Sequence, residues 1–221
     1  MDSLPGPILG SLAAHVTLGM VALVCGAFAL ALRKGSLWHR RFGIVFVYAM
    51  LGSLACAVPV IVAHRNLFLG LLTPFVVYLV VRGYLAAHRA GARAQRMLAA
   101  VALATSCGLI LLGAFRIFHG APAAGLPGAL LGLGTLGAWL TFRDLRAPAP
   151  DRPPGSVLAH AVSMTGGYTT AVTAFTVVNF PPGMLPRAVV WLTPVTVGTA
   201  LAFWWASRLR RGRVAIEIGE P

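Results

Sequence analysis

The chain alternates between long apolar runs and short polar breaks. Seven runs reach the roughly 20 mostly apolar residues that cross a hydrocarbon core: 8–32, 42–64, 67–87, 97–118, 122–142, 157–180 and 188–207. The breaks, such as Arg65-Asn66 and Pro181–Arg187, are too short to hold a soluble domain. No ten-residue segments of alternating polarity occur, so backbone groups in lipid are expected to be satisfied in helices rather than in a barrel. The expectation is one integral membrane domain over 1–221, an all-α polytopic bundle of seven transmembrane helices. The fifth run carries Pro127 and five glycines, and is the one expected to be broken or tilted.

The basic residues orient the chain. With the N-terminus outside, the inner segments hold Arg33, Lys34, Arg40 and Arg41, then Arg82, Arg89, Arg93 and Arg96, then Arg143, Arg146 and Arg152, then Arg208, Arg210, Arg211 and Arg213. The outer segments hold Arg65, Arg116 and Arg187. Fifteen against three is the bias of an N-out, C-in protein of the cell inner membrane. Composition agrees: 58% of residues are apolar and 10% charged, against about 25% charged in soluble domains. A soluble fold, a disordered tail and a secreted disulfide scaffold are excluded. The net charge of +13 invites nucleic acid, but its placement between apolar runs points to the bilayer as partner and to no nucleic acid. The first run follows no basic n-region and reads as a retained span. Cys25, Cys56 and Cys107 form no CxxC pair and read as small core residues.

The five acids, Asp2, Asp144, Asp151, Glu217 and Glu220, fall at the termini or in the fifth break. Without an acid inside a span, a carboxylate-driven antiporter and an intramembrane aspartyl protease are disfavoured. HExxH is missing as well, so no metal site and no catalytic residue are assigned. Histidine remains. His15 lies in the first run and His160 in the sixth, both within GSxxAH; His64 and His119 fall at outer ends, and His39 and His88 in or beside inner breaks. At 3.6 residues per turn, Ser11, His15, Gly19, Ala22, Gly26 and Ala29 share one helix face, and Ser156, His160, Ser163, Gly167, Ala171 and Ala174 another. Such small-residue lanes admit either a flat macrocycle or a neighbouring helix. For haem b, His15 and His160 are the expected ligands at separate sites, with His64 or His119 completing the outer one. Ser11 and Ser156 are expected to orient the two imidazoles.

A second constellation lies in the last two runs. Tyr168 and Asn179 fall on nearly one face of the sixth, with Thr173 in the same run, and Trp191 opens Trp191-Leu-Thr-Pro194 in the seventh. They are candidates to line a cavity, with intrahelical threonine bonding as the alternative; Trp38 and Trp191 read as interface anchors. The segment Lys34–Gly43 reads KGxxxHRxxG, in which His39 and Arg40 are expected to find a partner across a tight turn made by Gly35 and Gly43.

That motif, the GGYxxAxTAFxVxN run from Gly166 to Asn179 and WLxP at Trp191–Pro194 resemble a bacterial family of predicted multi-pass membrane proteins labelled only as a domain of unknown function. The resemblance implies a compact helical membrane protein and no activity. The histidine-bearing helices are loosely similar to diheme transmembrane b-type cytochromes. Three functions follow as expectations: a haem- or quinone-linked redox protein, a transporter or binding protein for a small amphipathic molecule between spans six and seven, and a structural subunit. The oligomeric state is not legible.

Overall fold

The computed structural model describes residues 5–88, 92–121, 126–146, 157–180 and 186–210. Among them it is all-α, with α1 (Gly6–Ala31), α2 (Leu37–Ala63), α3 (Leu67–His88), α4 (Ala92–Phe118), α5 (Leu126–Arg146), α6 (Val157–Asn179) and α7 (Arg187–Arg210). Five of these, α1, α2, α3, α4 and α7, are long and apolar enough to cross a membrane. Helices α5 and α6 are similar in length, but four glycines and three charged residues dilute the apolar content of α5, and five threonines that of α6. Large apolar side chains stand exposed along the helices, Phe118 at 86% and Val178 at 82%. Water penalises such surface, and hydrocarbon does not. The chain is a multi-pass membrane protein.

Local chemistry sets the helix ends. Pro5 and Pro7 flank the start of α1, where a missing N–H costs nothing. Ser36 caps α2, its Oγ accepting from His39 N at 3.2 Å, and Asn66 Oδ1 accepts from Leu69 N at the start of α3. The turn between α1 and α2 uses Gly35 at φ +80°, a conformation a Cβ disfavours. Lys34 closes α1 by donating to the carbonyls of Ala29 and Leu32, and burial pushes its ammonium below the usual lysine range. Because the Ser36 cap starts α2 early, His39 and Arg40 lie in its first turn and not in a loop. Gly43 likewise lies within the helix and not in the turn.

Two compact units are present. The first joins α1, α2 and the end of α7 from Phe203 onward, with Ala22, Cys25, Phe46, Ala49 and Met50 buried where α1 packs on α2. The second holds α3 to α6 and the first part of α7. There α4 packs on α5, and α3 lies against both α4 and α6, burying Phe75, Tyr78 and Val80 almost completely. The fifth helix is unbroken from Leu126. Pro127 occupies its first turn, and the glycines form contact surface instead of breaks: a Cβ on Gly134 would meet the Ser106 carbonyl of α4 at 2.8 Å.

Candidate functional site

Helix α5 runs through Arg146, four residues past the apolar run, and therefore contains Asp144. This corrects the placement of that acid in a break. Asp144 is the one acid among the described residues, and its side chain is mostly buried. Facing it on α3 is Arg82, 9% exposed, so this arginine is no solvated topology charge. Arg82 grips the carboxylate side-on, with Nε donating to Oδ2 and Nη2 to Oδ1, the latter at 3.0 Å. Tyr78, one turn earlier on α3, donates its hydroxyl to Oδ2 at 2.8 Å. The other arm of the guanidinium reaches α6, where Nη1 donates to Ser163 Oγ and to the Ala159 carbonyl at 3.3 Å.

His160 completes the arrangement from the opposite direction. Its Nδ1 lies 2.9 Å from the Gly83 carbonyl. The α3 pair Arg82-Gly83 is thus clasped by Ala159, His160 and Ser163 of α6. Gly83 permits the approach, since a Cβ there would meet Met164 Cγ at 3.0 Å and Ser163 Cβ at 3.2 Å. Three helices meet on one guanidinium whose fork matches a carboxylate. A charge buried between helices of a membrane bundle is a functional-site candidate by default.

The first unit holds a smaller polar clasp. His15 Nδ1 lies 2.9 Å from the Ser53 carbonyl and 3.0 Å from Ser53 Oγ, and that hydroxyl donates back to the His15 carbonyl at 2.9 Å. Ser11 does not orient His15. It donates instead to the Cys56 carbonyl of α2 at 2.7 Å. A carbonyl only accepts, so Nδ1 of His15 is the donor in this bond. Interhelical bonds in membranes average about 0.6 kcal/mol and reach about 1.7. Ser53→Ala and His15→Ala are each expected to cost that much in unfolding titrations. The double substitution should cost less than the two together, because they share one clasp.

Both small-residue lanes are packed by helices. Ala22 is fully buried, and a Cβ on Gly19 would meet Ser53 Oγ of α2 at 3.4 Å. On α6, Ser163 is fully buried, and a Cβ on Gly167 would meet Val80 of α3 at 3.1 Å. At these positions a neighbouring helix takes up the face. Within the first unit His15 and His64 lie apart: His15 pairs with Ser53, while His64 caps α2 about 16 Å further along its axis. His119 is exposed, bonded to the Phe115 carbonyl and packed on that ring. Ser156 lies outside the described residues, as do Arg89, Arg152, Arg211, Arg213 and the proline-rich break 147–155.

No family model, curated protein or solved structure matches this chain. The site therefore rests on its own geometry.

The remaining candidates are dispersed. Thr173 is buried and donates to the Thr169 carbonyl of its own helix; Thr170 and Thr176 do likewise one turn back, and Asn179 bonds Phe175 at the exposed end of α6. Trp191 packs edge-on to Phe68, and Tyr168 is half-buried in α6. Thr193 donates to the Val189 carbonyl and leaves the Val190 carbonyl, the one Pro194 frees, without that bond. Two open grooves run along the described residues, one along Leu131–Trp139 of α5 and one along Val189–Val197 of α7. Neither includes Tyr168, Thr173, Asn179 or Trp191. In the first turn of α2, His39 Nδ1 bonds the Ala29 carbonyl and Arg40 Nε donates to Gly35.

The Arg82 network was missed at the level of sequence. A signal existed: an arginine inside an apolar run, with a tyrosine one turn before it on the same face.

Proposed function

We propose that this protein spans the inner membrane seven times, N-out and C-in, and binds or transports a small amphipathic anion in step with a proton. The single observation behind this reading is the Arg82–Asp144 pair. Asp144 occupies the guanidinium fork as an internal anion, and an external carboxylate has the same shape and charge. Proton uptake on Asp144 neutralises it and frees the fork, and the arriving anion restores charge balance on Arg82. The site holds one positive and one negative charge before the exchange and after it, so the low-dielectric interior bears no net charge at either stage. Tyr78 and Ser163 hold the two partners in register. Under this threading, α3 and α5 end and α6 begins on the inner side, which places the site near the cytoplasmic surface.

Thermal-shift measurements on detergent-purified protein test this reading, using an alkyl carboxylate series against the matching neutral amides. Carboxylates are expected to raise the melting temperature of the wild type, more strongly at low pH, while amides leave it unchanged. The Arg82→Gln/Asp144→Asn protein, whose uncharged pair keeps the shape, should lose the response. A response that persists in the double variant, or none in the wild type, overturns the reading. So does a Soret band in the purified protein, which would favour histidine-ligated haem. The threading has its own check: a reporter fused at the C-terminus should be active only in the cytoplasm and one at the N-terminus only outside.

A further inference from the structure

The first unit carries exposed basic side chains beside its tryptophans. Among the described residues of this unit there is no acid, while Arg40, Arg41 and Arg208 are exposed. Two of these arginines carry the guanidinium over a tryptophan ring. Arg41 lies over Trp38 at 5.4 Å, one turn apart on α2, and Arg208 lies over Trp204 at 4.3 Å, one turn apart on α7. Both indoles remain about half exposed, Trp38 at 56% and Trp204 at 45%. Lys34 joins the two segments. Its Nζ caps the carbonyls of α1 and sits 5.2 Å over the ring of Trp205, which brings the end of α7 against the turn between α1 and α2.

This arrangement does two things that a scatter of basic residues does not. The cation–π contact tethers each exposed guanidinium beside an indole, with N–H groups to offer an oxygen acceptor. The indoles anchor the pairs at headgroup depth, where Trp is enriched. Lys34 has its donors turned inward to carbonyls, so it positions the site and leaves the arginines to bind. The acceptor that lies at that depth, carries negative charge and offers oxygens to a fork is a lipid phosphate.

We propose that the α1–α2 turn and the end of α7 form a binding site for an anionic phospholipid headgroup, held by Arg41 and Arg208 from their tryptophan platforms. The site is independent of the Arg82 network and of the transport reading.

Lipid titration into full-length protein, read by native mass spectrometry and thermal shift, tests the proposal. The probes are phosphatidylglycerol, phosphatidylcholine and inorganic phosphate. Phosphatidylglycerol is expected to bind and to raise the melting temperature, with phosphatidylcholine and free phosphate giving neither effect. Each of Arg41→Gln and Arg208→Gln should weaken binding about fivefold, while Arg116→Gln, on an exposed arginine of the other unit, should not. The decisive variant is Arg41→Lys/Arg208→Lys, which keeps the charge and loses the planar fork. Weakened phosphatidylglycerol binding in this variant supports a built site. Binding equal to wild type overturns it in favour of diffuse surface charge, as does equal binding of phosphatidylcholine or a response to inorganic phosphate.

Discussion

Arg82→Gln alone should destabilise the protein by about 3–5 kcal/mol, the cost of removing one member of a buried ion pair. Asp144 would then keep only the Tyr78 hydroxyl of the three donors that now satisfy its carboxylate in this network. Asp144→Asn should cost a similar amount, because it strands a guanidinium that is 9% exposed. Combining the two removes both charges, and stability should return most of the way. A denaturant titration of the wild type, the two single variants and the double variant closes a thermodynamic cycle, with the coupling carried by the pair. Two single losses below about 1 kcal/mol would mean that the pair is solvated in the membrane-embedded protein, where exposed ion pairs contribute that little. Such a result would also remove the reason for placing a binding site there. Tyr78→Phe, which deletes one hydroxyl at a position 1% exposed, should cost less than either charge loss, about 1–3 kcal/mol.

The apolar pattern made the helices legible because each must satisfy its own backbone in lipid, whatever its neighbours do. It also marked the faces: Ser11, His15, Gly19 and Ala22 do share one side of α1, and Ser163 and Gly167 one side of α6. What lies against those faces was not legible. A lane of small residues accepts a helix or a flat ligand equally well, and the choice depends on which helices become neighbours. The same lack of neighbour information hid the polar site. Asp144 follows the last apolar residue of its run and reads as loop, but Arg143 and Arg146 extend the helix at little cost in propensity, and the pairing with Arg82 needs α3 and α5 side by side. Arg82 counted toward the inner charge for the same reason, although it lies within the third apolar run. The weak reading of the fifth run treated its glycines as breakers, the role they have in water. In a bundle they are the positions where a neighbouring backbone comes close.

That role of glycine makes a second large effect testable on one helix. Gly134→Ala places a methyl 2.8 Å from the Ser106 carbonyl and 2.9 Å from the Ile110 nitrogen, both backbone atoms of α4. Backbone cannot rotate aside as a flexible side chain can, so α4 and α5 must separate along their contact. Overpacking of this kind costs about 1–3 kcal/mol. The separation also withdraws α5 from the ring of Phe75, which a Cβ on Gly137 would meet at 2.9 Å. Gly132, about half a turn away on the same helix, is the control. A Cβ there meets nothing within 4 Å, and alanine is the better helix former by about 0.8–1.0 kcal/mol. Gly132→Ala should therefore melt at or above the wild-type temperature and Gly134→Ala well below it. Equal melting of the two variants would mean that α5 does not pack on α4 through its glycines. A loss at Gly134 that disappears when Ile110 is trimmed to Ala would place the clash on that side chain, 2.7 Å from the new methyl, and not on the backbone.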